Sequence, residues 1–457
     1  MISFALAAAL TLAGTQAAYA QDGAAPDGAR LDSLVARALE VSPRIRAAQG
    51  RVEGARARVE PAGLLPDPML AVGIQNLPLG SDPAEGSTDD PAMAEVDLPD
   101  MMTMKMVGIG QTIPFPGKLA LQRRAAAQEG TAAEAMLAAA EREVQREVKV
   151  AYYELAFLDR SFEILERNQQ VLLNLIRTTE SRYAVGIGAQ PDVIKARVET
   201  ARLAADAVAL QEERRALLAR LNALLDRPSD TPVEAPRVPE RTILAAAPSS
   251  AAQVRFTSAS LGARAADSPL PPLPELQEAA AANSPELLAH EAMIAAQTAR
   301  LELARREHLP DFDLSLTYGQ RSRRPDMITA MISVAVPWQK RQRQDAFVTE
   351  ADAELSALQA EHHEKLNELH ARVAELHAEL ERERAQLALF VNSILPQGSA
   401  SLSSATASFQ VGRVDFLTVL ENQSTLYSYE TAYFRGLSDF AAKLAELEAL
   451  VGKEILP

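Results

Sequence analysis

The side chains in this chain that could do chemistry are few, and they are metal-ligand types rather than catalytic ones. Met93, Met101, Met102, Met104 and Met106 crowd one stretch together with seven acids, Asp82, Glu85, Asp89, Asp90, Glu95, Asp97 and Asp100. Thioethers are soft ligands that suit Cu(I), so Met101, Met102, Met104 and Met106 are candidate metal contacts. The same residues have a plainer reading, in which acids solvate an exposed loop and methionines fill strand surface. His363, His370 and His377 recur at seven-residue spacing beside an apolar seam. Imidazole binds Zn or Cu, but on a helix these neighbours stand about 10 Å apart, too far to share one ion. A solvated stripe accounts for them. Glu361-His362-His363-Glu364 lacks the second histidine of a HExxH zinc site. No catalytic set and no cofactor motif emerges, so an enzyme is disfavoured. The chain has no cysteine and therefore no acyl-cysteine anchor. Its net charge of −15 argues against a nucleic-acid partner.

The positioning elements are long helices and short strand pairs. Residues 1–20 read as a secretory signal, with an apolar core and small residues at Ala18-Tyr19-Ala20, though without a positive n-region. Helices are expected over Leu31–Leu39 and Pro43–Gly63, with Ser42 able to cap the second and Pro43 to open it. Asp67–Gln75 and Met101–Ile113 read as strands around a polar loop. Within the second strand, Lys105, Val107, Ile109, Gln111 and Ile113 share one face. Pro114 and Pro116 stop it, because proline cannot donate to a ladder.

From Leu119 to Arg182 the period becomes helical. Val144, Val148, Ala151, Leu155, Leu158, Phe162 and Leu165 alternate steps of four and three, as supercoiled helices do. That run spans roughly 95 Å. Tyr183–Pro191 breaks it, and Asp192–Leu225 returns.

The chain then repeats itself. Leu31, Leu34, Ala38, Ser42 and Pro43 are echoed by Leu273, Leu276, Ala280, Ser284 and Pro285, and Ile113-Pro114-Phe115 by Val336-Pro337-Trp338. The expected organisation is therefore a first repeat at 21–226, a Pro/Ala/Ser-rich linker at 227–272 and a second repeat at 273–457. The second repeat holds strands near 311–319 and 328–336. A helical hairpin follows at 341–451, with a seam at Leu366, Leu369, Val373, Leu376 and Leu380 and a kink at Pro396. Phe115 and Trp338 end strands, as interfacial aromatics do.

Four strands of membrane-spanning length cannot close a barrel, for which about eight is the minimum. Three copies would supply twelve strands and an open lumen. No stretch after the signal is apolar enough for a transmembrane helix.

At this point the residues resemble a family, the TolC-type outer-membrane efflux channels. The matching pieces are Ser42-Pro43, Leu65-Pro66-Asp67-Pro68, Gly110-Gln111 with Pro114–Lys118, Arg182-Tyr183-x-Val185-Gly186, Leu221–Pro228, and Val411-Gly412-x-x-Asp415-Phe416-Leu417 with Leu420. The resemblance implies a mainly α fold with a membrane β part. It implies a homotrimer with a long-helix α-barrel continuous with a twelve-stranded barrel in outer-membrane lipid. It also implies docking to a periplasmic adaptor and an inner-membrane RND-type pump.

Thr103–Lys118 looks most like the heavy-metal branch, serving copper/silver or cobalt-zinc-cadmium exporters; a multidrug channel of the same family is the alternative. A soluble coiled-coil scaffold is the rival from another class, and the signal and strand pairs argue against it. Glu421 matches an acidic gate position, Thr418 stands where another gate acid would be, and Asp192 is the matching gate candidate of the first hairpin. Val185, Gly186, Val411 and Gly412 are the expected adaptor-docking tips, where glycine permits positive φ and close approach of a partner backbone.

Overall fold

A computed structural model of the chain describes residues 27–76, 103–186, 189–234, 236–246, 270–321, 324–335 and 342–456. The signal segment, the acidic loop with Met93, Met101 and Met102, and Trp338 lie outside the described residues. Two short helices, α1 (Asp27–Val41) and α2 (Pro43–Ala62), lead into strand β1 (Met69–Gln75). Strand β2 (Met104–Ile113) returns and passes into α3 (Lys118–Ala184), and α4 (Gln190–Leu224) runs back from its far end. A short α5 (Glu240–Ala246) follows. The second half repeats the order: α6 (Leu273–Asn283), α7 (Pro285–Arg306), β3 (Phe312–Arg321), β4 (Met327–Val334) and α8 (Gln344–Leu389). A π-helical turn (Phe390–Ile394) joins α8 to α9 (Leu395–Gln410), and α10 (Phe416–Val451) returns.

The 67 residues of α3 contain no proline and one glycine, Gly130. Alanine, leucine, glutamate and arginine dominate it, all strong helix formers, and the helix reaches about 100 Å. Its expected seam is buried at Val144, Val148, Ala151, Leu155, Leu158 and Leu165. Phe162 is only half-buried, and Ile164 takes a core position instead.

Two equivalent cores result. In the first half, Ala38, Ile45, Val144, Val148, Leu155 and Leu221 pack together; in the second, Ala280, Val373, Leu376, Leu380, Leu444 and Val451 do. Ala38 and its echo Ala280 are both fully enclosed, because only a small side chain lets the short helix lie close on the long one. Leu366 and Leu369, at the upper end of the second seam, remain half-buried.

Three expectations need correction. Ser42 makes no side-chain cap, whereas its echo Ser284 accepts from the Leu287 amide at 3.3 Å. At Ser42 the amide still bonds Ala38 O, so α1 runs almost directly into α2. The 227–272 stretch is not all linker. α5 lies within it, with Thr242 and Ala246 buried, while the Arg237 amide donates to the Tyr152 hydroxyl at 3.2 Å. At Pro396, where a kink is expected, the helix continues, and a π turn directly before it accommodates the missing N–H. Strand and helix ends move by one to four residues, most at α1, which starts at Asp27 rather than Leu31.

Candidate functional site

The sheet has the order β1-β2-β3-β4, antiparallel throughout, so β1 and β4 are open edges. Its register aligns Leu70, Ile109, Leu316 and Ala330 in one row and Val72, Val107, Tyr318 and Ile328 in the next. By the period-two pleat these residues share a face, and that face is apolar and exposed: Leu70 is 74 % exposed and Ile328 73 %. The opposite face carries Gly73, Gly108, Gly110, Thr112, Asp313, Ser315, Thr317, Gly319 and Arg321. An exposed apolar wall backed by a small, polar wall fits lipid outside and water inside. Met104 and Met106, expected as loop-side candidates, sit on this polar inner face.

Below the sheet, one junction ties the two halves together. Lys118 is 3 % exposed, and its ammonium donates to Glu307 Oε2 at 3.0 Å and Asp311 Oδ1 at 2.9 Å. Asp311 Oδ1 also accepts the Phe115 amide at 2.7 Å. Burial alone would lower the Lys118 pKa, but its bonds to Asp311 and Glu307 outweigh that and raise it. Gly117 turns the chain with φ +92°, and Arg306 donates to Pro116 O at 3.0 Å. Phe115 is half-buried at this turn rather than free at its surface.

At the far end, the two helical hairpins close on matched turns. Gly186 and Gly412 have φ of +76° and +75°, and each amide bonds back to the residue three before it at 3.0 Å. Val185 and Val411 are each 69 % exposed. The tips touch through Arg182, whose guanidinium bonds Phe409 O and lies 4.6 Å over the Phe409 ring. Beneath them Leu175, Ala196, Ala405, Phe409, Phe416 and Val419 form a small shared core.

Both gate candidates stand near this end. Asp192 is in the first turn of α4 and half-buried; Glu421 is exposed, on the side of α10 away from buried Phe416 and Val419. Two residues on, Gln423 turns inward and donates to Asn168 O at 3.1 Å and Asn168 Oδ1 at 2.9 Å. Thr418 is engaged with the α10 cap: its hydroxyl and amide both donate to Asp415 and hold that carboxyl below its usual pKa. An ionised acid therefore does stand at this level, at Asp415, three residues before the expected position.

The histidine stripe divides. His363 is exposed and His370 and His377 are half-buried. Among the described residues no group of three or more His, Asp or Glu side chains is arranged around an ion site.

The outer membrane efflux protein family matches residues 34–227 and 276–453. The chain belongs to that family. It is thus a passive outer-membrane channel that extends into the periplasm, not an enzyme. The cobalt-zinc-cadmium resistance protein CzcC of Cupriavidus metallidurans is 21 % identical over 345 residues, 75 % of each chain. The fold is shared with the outer-membrane channel OprN, at TM-score 0.74, 20 % identity and 94 % and 91 % coverage of the two chains. It is also shared with VceC of Vibrio cholerae, at TM-score 0.72, 20 % identity and 93 % and 97 % coverage. Channels of this family are trimers that work with an adaptor and an inner-membrane pump.

The open edges at β1 and β4 leave unpaired backbone groups on which the strands of another copy can pair. Sequence reasoning missed the Lys118 junction and the part played by Arg182. It also missed that Met327 and Met331 share the inner face with Met104 and Met106; aligning the strands by their period-two pattern would have found them.

Proposed function

We propose that this channel carries heavy-metal cations, delivered by an RND-type inner-membrane pump through a periplasmic adaptor. The pump supplies the energy and the channel supplies a route. The observation that supports this most is the likeness to a cobalt-zinc-cadmium resistance protein across three-quarters of both chains. The Thr103–Lys118 segment points the same way. Deleting the protein is expected to sensitise cells to transition metals more than to organic drugs, read as minimal inhibitory concentrations. Unaltered metal tolerance with heightened drug sensitivity would move the channel to the multidrug branch.

In this reading Glu421 and Asp192 line the narrow periplasmic end of the trimer, and Val185-Gly186 and Val411-Gly412 meet the adaptor. Three Glu421 carboxylates around a tight passage focus a negative potential and favour cations there. Glu421→Gln is expected to lower cation-over-anion selectivity in single-channel bilayer recordings. Selectivity equal to the parent's would place Glu421 outside the constriction.

A further inference from the structure

The inner face of the sheet holds more methionine than a water-filled wall requires. Met106, Gly319 and Met327 fall in one row across β2, β3 and β4, and Gly73 completes the row on β1. Adjacent strands lie about 4.8 Å apart, so Met106 and Met327 flank Gly319 one strand away on either side. Met104 stands two residues from Met106 on the same face, and its Sδ reaches over Gly319. A Cβ placed on Gly319 would come within 2.9 Å of that sulfur. Glycine at 319 therefore opens the space into which three thioethers can turn. Methionine has three rotatable bonds and a polarisable sulfur, so such a group adapts to a bound ion without moving the strands. This end of the sheet is the one away from the helices, since α3 leaves β2 at the opposite terminus.

We propose that Met104, Met106 and Met327 form a thioether site for a soft monovalent cation, Cu(I) or Ag(I), on the inner wall of the outer mouth. Neutral sulfur ligands select soft ions over Zn(II) or Mg(II). Charges of both signs stand nearby: Arg321 pairs across from Met104, with its guanidinium held by Pro325 O at 2.8 and 3.0 Å, and Asp326, next to Met327, accepts the Arg321 amide at 3.2 Å. The use of the site in export rests on the metal-conduit reading; the binding itself does not.

The test is Ag(I) titration of the detergent-purified trimer, followed by calorimetry and by X-ray absorption at the silver edge. The parent is expected to bind Ag(I) with sulfur neighbours. The Met104→Leu/Met106→Leu/Met327→Leu protein is expected to lose at least about tenfold in affinity together with the sulfur signal. Leucine nearly conserves the volume of methionine, so the variant trimer should elute like the parent. Met136→Leu on α3, a half-exposed methionine remote from the sheet, should change nothing. Unchanged Ag(I) affinity in the triple variant, or oxygen and nitrogen neighbours in the parent, overturns the site. Met327→Leu alone should weaken binding if β4 contributes a ligand, and full affinity in that variant overturns the three-sulfur assignment. A deletion strain with parental metal tolerance would remove the metal-conduit reading while leaving this binding result to stand or fall by itself.

Discussion

Lys118→Met is expected to loosen the junction between the sheet and the long helices, lowering the stability of the channel by about 2–3 kcal/mol. The reason is an asymmetry of burial. The Lys118 side chain is 4 % exposed, whereas Glu307 and Asp311 retain 44 % and 35 %. Removing a buried partner usually costs ~3–5 kcal/mol, and access of water to the two carboxylates reduces that. Glu307→Gln should cost less, about 1 kcal/mol, because Asp311 still holds the ammonium. Asp311→Asn should cost more than Glu307→Gln, since the same oxygen also takes the Phe115 amide.

The pH dependence has a definite sign. Lys118 is raised in the folded state, so its contribution is complete below the ordinary lysine range and fades as pH climbs through the raised value. Denaturant or thermal melting of the purified protein, followed by trimer dissociation, reads all three variants. If Lys118→Met melts with the parent at neutral pH, water already carries these charges and the junction is not a clamp.

What could be read from the sequence was set by how local each signal is. The alternation at Lys105, Val107 and Ile109 needs only period two, and the register places these residues on the apolar face with Gln320, Tyr318 and Leu316 as partners. The seam from Val144 to Leu165 needs only a repeat of four and three. Lys118 gave no comparable signal, because its partners lie 189 and 193 residues further along. Nothing local distinguishes a buried, doubly paired lysine from a solvated one in the first turn of a helix. α5 escaped notice for a different reason: seven residues with two buried small side chains hold no measurable period. Ser42 and Ser284 occupy equivalent positions with the same following proline, yet only one caps. Their backbone angles are nearly the same, φ −57°, ψ 121° at Ser42 and φ −67°, ψ 115° at Ser284, so the difference lies in where the hydroxyl points, and a residue type cannot encode it.

Gly186→Leu combined with Gly412→Leu is expected to abolish export and adaptor crosslinking while leaving the trimer intact. Both glycines adopt left-handed φ, so a side chain costs about 1–2 kcal/mol of strain at each. Space is not the obstacle. A Cβ on Gly186 meets nothing within 4 Å, and one on Gly412 meets only the Arg182 Nη2 at 3.5 Å. The core below is sealed by Phe409 and Phe416, whose rings meet edge-on at 6.2 Å, and neither glycine belongs to it. Strain of that size is small against a trimer that buries long helices and closes a barrel. What the substitutions do change is the outer surface, where each leucine adds apolar bulk beside an already exposed valine. A partner helix that packs backbone-close on the turns would be held off. Gly186→Ala/Gly412→Ala separates the two causes, since alanine brings the same φ strain with little bulk and should retain much of the export. Equal loss in the alanine and leucine pairs would assign the effect to the turn conformation. Normal export in the leucine pair would make these turns simple connectors, with docking elsewhere on the helical surface.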